Sequence, residues 1–133
     1  MAAVGGMFIL LFNKISLDDK DFFNTFLKPY IFKTHEFCFT NLYLWRDYCN
    51  TEYAVYANSL IIKKTDIVNR ENYFLQPLRY NSSNFKKIID FLVELSADLN
   101  FKYIFRDAEE LFIKDLENLY PGKFVFEFDR DNA

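Results

Sequence analysis

The chain has 133 residues, a net charge of −3 and a pI near 5.2, the size of one domain and a balance against gripping nucleic acid by bulk electrostatics. Apolar residues make up 51% and aromatics 20%, which excludes disorder, and only three Gly and three Pro leave little room for long irregular loops. A local basic patch around Lys63, Lys64 and Arg70 is compatible with that balance.

Residues 1–12 carry no charge, but the run is shorter than the roughly 20 residues a bilayer span requires and lacks a signal peptide's basic start and cleavage pattern. A cytoplasmic protein is the resulting expectation. Met7 offers an alternative start, making residues 1–7 an N-terminal extension and 8–133 a single unit. Residues 8–15 are an apolar run and read as a first strand buried on both faces. Ser16 with Asp19 forms a carboxylate variant of the capping box, and Phe22, Phe23, Phe26 and Leu27 line the helix that Pro29 ends.

Next comes Phe39-Thr40-Asn41-Leu42-Tyr43-Leu44-Trp45-Arg46, with the chain's one tryptophan. Thr40 or Asn41 is expected to cap a helix running to about Cys49. Phe39, Leu42, Tyr43 and Arg46 recur on one helical face, which Trp45 and Cys49 widen. Trp45 is therefore expected to be substantially buried. Arg46 falls inside the apolar arc, where its guanidinium needs a carboxylate or backbone carbonyls.

Residues 52–57 and 59–65 read as strands joined at Asn58, and 72–76 as a third that Pro77 stops. Tyr53, Val55, Tyr73 and Leu75 keep the alternation of a sheet with one face against helices. Ser82 or Ser83 opens a helix with Phe85, Ile88, Ile89, Leu92, Leu95 and Leu99 on one side, which Asn100 closes. Residues 101–106 read as a strand. Asp107 and Glu110 cap a helix carrying Phe112, Leu116, Leu119 and Tyr120, stopped by Pro121-Gly122. Phe124, Phe126 and Phe128 alternate in a final strand.

The octapeptide resembles the signature near the start of the C-terminal domain of phosphatidylglycerol lysyltransferases, a domain shared with soluble bacterial proteins of unknown function. Leu17-Asp18-Asp19-Lys20 and the closing Asp129-Arg130-Asp131-Asn132 fit the same family in order and spacing, so the resemblance spans most of residues 8–133. It implies a tandem of two GNAT-type acyltransferase units, of which this chain matches the N-terminal half. The element order β-α-α-β-β-β-α-β-α-β has the same layout, an antiparallel block followed by a β-α-β crossover. The expected fold is thus a mixed α/β (α+β), GNAT-like one, with a mostly antiparallel sheet of about six strands and about four helices.

Cys38 and Cys49 make no metal-ligand set and read as buried free thiols, and His35 has no telling partner. No cofactor or metal is expected. A GNAT enzyme holds the coenzyme A pyrophosphate on backbone amides at a helix start. The late strand-to-helix joins here, Gln76-Pro77-Leu78-Arg79 and Arg106-Asp107-Ala108-Glu109, lack the usual glycine turn. Glu127, Asp129 and Asp131 read as a solvated strand end, as an acid/base or metal cluster, or as the anion that clamps Arg46. The clamp is preferred over catalysis.

The resemblance places the family's catalytic positions beyond Ala133, so none is carried onto this chain. One reading is the N-terminal half of an aminoacyl-tRNA-dependent aminoacyltransferase, inactive by itself. Its partners would be the missing second half, or a second copy joined through the C-terminal strand. Aminoacyl-tRNA and a lipid acceptor would engage only the complete domain, which would then lie at the membrane periphery. The alternative is a non-catalytic protein-interaction module; a weaker third reading, single-stranded nucleic-acid binding by Tyr and Lys, runs against the acidic balance.

Overall fold

The computed structural model describes residues 2–4, 7–9, 12–27 and 38–127. His35, Phe128 and the Asp129-Arg130-Asp131-Asn132 stretch lie outside the described residues.

Among the described residues the protein is a mixed α+β structure with a four-stranded antiparallel sheet and four α-helices. β1 (Ala2–Val4) and β2 (Met7–Ile9) pair with each other as a separate antiparallel ribbon. The main sheet orders β3 (Asn13–Lys14), β4 (Glu52–Tyr56), β5 (Ser59–Asp66) and β6 (Glu71–Phe74) in sequence. β4 and β5 form a hairpin in which Tyr56 pairs with Ser59. Ala57 and Asn58 both take positive φ (49° and 65°), the two-residue turn that matches strand twist.

Past β6 the register against β5 slips by one residue: Lys63 pairs with Phe74, yet Leu60 pairs with Leu78. That extra residue is a β-bulge around Gln76 and Pro77. Residues 101–106 return beside β6 in parallel, where Phe74 N–H donates to the Ile104 carbonyl at 2.8 Å and Arg106 N–H to the Phe74 carbonyl at 3.0 Å. The crossover expected from sequence is present, but this return makes a single bridge and not a full strand. Residues 124–127 form no strand either. Alternation there has another cause: Phe124 and Phe126 pack back against the cluster of Phe85, Ile89, Phe112 and Leu116.

Both sheet faces are covered. α1 (Lys20–Leu27) and α2 (Phe39–Leu44) lie over the face that carries Leu60, Ile62, Tyr73 and Leu75. On the other face Ile61 and Phe74 meet Ile88 and Leu92 of α3 (Phe85–Asp98). α4 (Glu110–Leu119) packs against α3 through Phe112 and Leu116. Leu60, Ile61 and Ile62 are fully enclosed, so β5 is the central strand of a three-layer core, and a one-faced sheet is too simple a reading. Val55, expected on the covered face, is exposed.

The capping box at Ser16 is present: its N–H donates to Asp19 Oδ2 at 2.8 Å. Asp19 Oδ1 also accepts from the Tyr53 hydroxyl at 2.9 Å, fastening the start of α1 to β4. Other helix starts differ from the sequence reading. α2 begins after Cys38 with no side-chain cap from Thr40 or Asn41. Ahead of α3, Asn81 Oδ1 accepts from the N–H groups of Ser83 (2.9 Å) and Asn84 (3.2 Å), so an Asn, and neither serine, organises that turn. Asp107 takes φ 56°, and α4 starts after Glu109.

Candidate functional site

The signature segment divides between core and surface. Phe39 and Leu42 are buried, Phe39 meeting Phe23 edge-on at 5.5 Å and lying parallel to Tyr43 at 5.8 Å. Thr40 is exposed and Asn41 half-buried. The helix stops at Leu44, and residues 45–50 run in turns, so the helical arc does not extend to Trp45 or Arg46. That shortening overturns the expected burial of Trp45, while Arg46 finds a backbone carbonyl, one of the two kinds of partner expected for it. Trp45 is 54% exposed, with Leu44 and Tyr48 exposed beside it and the Tyr48 ring edge-on at 5.6 Å. Arg46 is half-buried and curls back on its own turn. Its Nη1 donates to the Tyr43 carbonyl at 2.7 Å while the guanidinium lies 3.7 Å over the Tyr43 ring. Its partner is a carbonyl; among the described residues no carboxylate clamps it.

The turn after Arg46 is tightly built. Thr51 N–H donates to the Arg46 carbonyl at 2.8 Å, Asn50 takes φ 47°, and Thr65 N–H donates to the Cys49 carbonyl at 2.7 Å. Pairing of Lys14 with Glu52 brings β3 alongside, where Lys14 Nζ donates to Asn50 Oδ1 at 3.0 Å. Between them lies a small cleft of about 100 Å³ lined by Lys14, Ile15, Arg46, Asp47 and Thr51. Thr51 is 2% exposed, and its Oγ1 is buried with no hydrogen-bond partner. Sequence reading found Arg46 but missed Lys14 and Thr51. Only the β3–β4 register unites residues so far apart in the chain.

A second constellation sits at the bulge. Gln76, 7% exposed, accepts the Glu109 N–H on Oε1 at 2.7 Å and so bridges the two late joins. The amide at the start of α4 is thereby used inside the protein. Nearby, Arg79 Nη2 donates to the Thr25 carbonyl at 2.8 Å with its guanidinium 4.3 Å over Phe26, tying the bulge to α1.

On the opposite edge Arg106 Nη1 bonds Asp66 Oδ2 at 2.7 Å and its guanidinium stacks over Tyr73 at 4.9 Å. The Arg106 bond, helped by the Asn69 and Val68 amides, holds the Asp66 carboxyl below its ordinary range. The Tyr53 hydroxyl is pushed up by burial and then by its bond to Asp19.

The basic trio does not form a patch. Lys63 pairs with Glu52 at 3.0 Å, Lys64 is buried, and Arg70 is exposed. Neighbours on a strand point to opposite faces. Neither Cys38 nor Cys49 is in a disulfide, and Cys38 is exposed where burial was expected. Among the described residues no helix is long and apolar enough to cross a membrane.

No curated protein matches the chain. The fold is similar to the crystal structure of a conserved protein of unknown function from Bacteroides thetaiotaomicron VPI-5482, with a TM-score of 0.82 and 23% identity, covering 92% of this chain and 40% of that one. The chain thus spans well under half of that relative. The family model for the C-terminal domain of phosphatidylglycerol lysyltransferase matches residues 29–133, so the chain belongs to that family.

Proposed function

We propose that the chain is the N-terminal unit of a tandem GNAT-like aminoacyltransferase domain, where it supports the unit that performs the reaction and performs none itself. The complete domain transfers an aminoacyl group from tRNA to a lipid acceptor at the cytoplasmic face of a membrane. Carrying the supporting role is the start of α4, where Gln76 occupies the Glu109 amide, one of those an acyl-carrier phosphate would use. Family membership supports the reaction class. The test is a transfer assay on the isolated chain with aminoacyl-tRNA and phospholipid, and separately with acetyl-coenzyme A. No turnover is expected; turnover that survives enzyme purification to constant specific activity would overturn the reading.

A protein-interaction role is favoured by a different observation, the exposure of Leu44, Trp45 and Tyr48 on one short segment. The expected partner is the second unit of the domain, or a second copy of the chain. The exposure of Val125, 94%, supports the C-terminal region as the other contact. Light scattering at micromolar concentration, repeated on Trp45→Lys and Val125→Lys variants, tests this. A monomer unchanged by either substitution, and equally unable to bind the separately expressed second unit, rejects it.

A further inference from the structure

We propose that the cleft at the turn between α2 and β4 binds a phosphate group. Three residues with donor side chains line it from separate parts of the chain: Lys14, Arg46 and Thr51. Thr51 is the strongest clue. A buried hydroxyl without a partner costs the protein its lost hydration, and such groups are rare unless a ligand or water satisfies them. Arg46 spends one donor on the Tyr43 carbonyl and rests its face on the Tyr43 ring, which fixes the guanidinium without using all five of its N–H groups. Lys14, which also lines the cleft, spends one of its three donors on Asn50 Oδ1 at 3.0 Å. The volume, about 100 Å³, suits a group a few waters in size, since one water takes about 30 Å³. Ile15, nearly fully buried, gives the cleft an apolar wall that strengthens charge-assisted bonds made there.

Asp47 also lines the cleft and opposes an anion, so it weakens binding and keeps the site from filling indiscriminately. Free phosphate and the phosphodiester of a phospholipid headgroup both present anionic phosphoryl oxygens. The site is independent of the transfer reading above: it stands on the residues of this cleft, whatever the complete domain catalyses.

The experiment is titration calorimetry of the full chain with inorganic phosphate, against sodium chloride at equal ionic strength. A parallel arm sediments the protein with phosphatidylglycerol–phosphatidylcholine vesicles and with phosphatidylcholine alone. Lys14→Met and Thr51→Val are each expected to weaken binding about tenfold, the worth of one charge-assisted bond. Asp47→Asn is expected to tighten it several-fold. Lys14 is exposed, so its variant folds even if Thr51→Val does not. Phosphate binding lost in these variants supports the site with free phosphate as ligand, and vesicle binding lost in them supports it with lipid as the source. Binding to neither, or binding that both variants retain, overturns it.

Discussion

Two joints between helix and sheet handle their polar atoms in opposite ways. Where β6 meets α4, Gln76 turns in from the bulge and takes the Glu109 amide, so the joint is closed at that one donor. Where α2 meets β4, Thr51 is as deeply buried but its hydroxyl bonds to nothing, and a cleft opens beside it. The contrast separates stabilising polar groups from available ones. A buried polar atom that is satisfied fixes one conformation; one left unsatisfied carries a cost that a ligand can remove.

The closed joint is where substitution should cost most. Phe112 at its base is fully buried, with Phe105 edge-on at 5.1 Å and Phe85 at 6.0 Å. Phe112→Ala is expected to lose about 3–5 kcal/mol in denaturant unfolding, as truncated core aromatics do. Gln76→Leu keeps the side chain's bulk but strands the Glu109 N–H, and should lose about 1–3 kcal/mol. A loss below that range would mean the α4 amide finds another partner, and the joint would no longer count as closed by Gln76.

How much of this was legible in the sequence follows from range. The amphipathic stripes of α1, α3 and α4 and the hairpin at Asn58 are local patterns, and the structure keeps them. The family membership rested on a contiguous octapeptide and was equally readable. Failures cluster where a short stretch decides. Periodicity through Phe39, Leu42, Tyr43 and Arg46 implied a helix reaching Cys49, yet the helix ends at Leu44 and sends Trp45 outward. Alternating phenylalanines at 124 and 126 imitated a strand while packing onto helices. The bulge at Gln76 and the Lys14–Thr51 proximity depend on sheet register, which no single segment encodes.

A smaller effect belongs to the Arg106–Asp66 pair, the half-buried counterpart of the Gln76 bridge. Its folded carboxyl titrates below the unfolded one, whose ordinary value is about 4. The stabilisation it gives is therefore complete above that unfolded value and is lost as pH falls through the folded one. Arg106→Gln should lower stability slightly at neutral pH, and the gap from the parent protein should shrink as pH is taken from 7 toward 3. A gap independent of pH would show that Arg106 acts through its stacking on Tyr73 and not through charge.

The least effect is expected at Trp45, and its smallness is informative. It sits on the open joint, beyond the end of α2, with about half its surface in water and one edge-on neighbour in Tyr48. Burial energy scales with apolar area withdrawn from water, and an isolated surface aromatic pair adds little to it. Trp45→Ser should thus cost under about 1 kcal/mol of unfolding free energy, far less than Phe112→Ala on the closed side. Its fluorescence in the parent protein should lie toward the long-wavelength emission of a solvated indole, and should shift to shorter wavelength when a partner covers the Leu44–Trp45–Tyr48 face. A large stability loss, with blue-shifted emission in the monomer, would move Trp45 back into the core. The two joints would then differ only in Thr51.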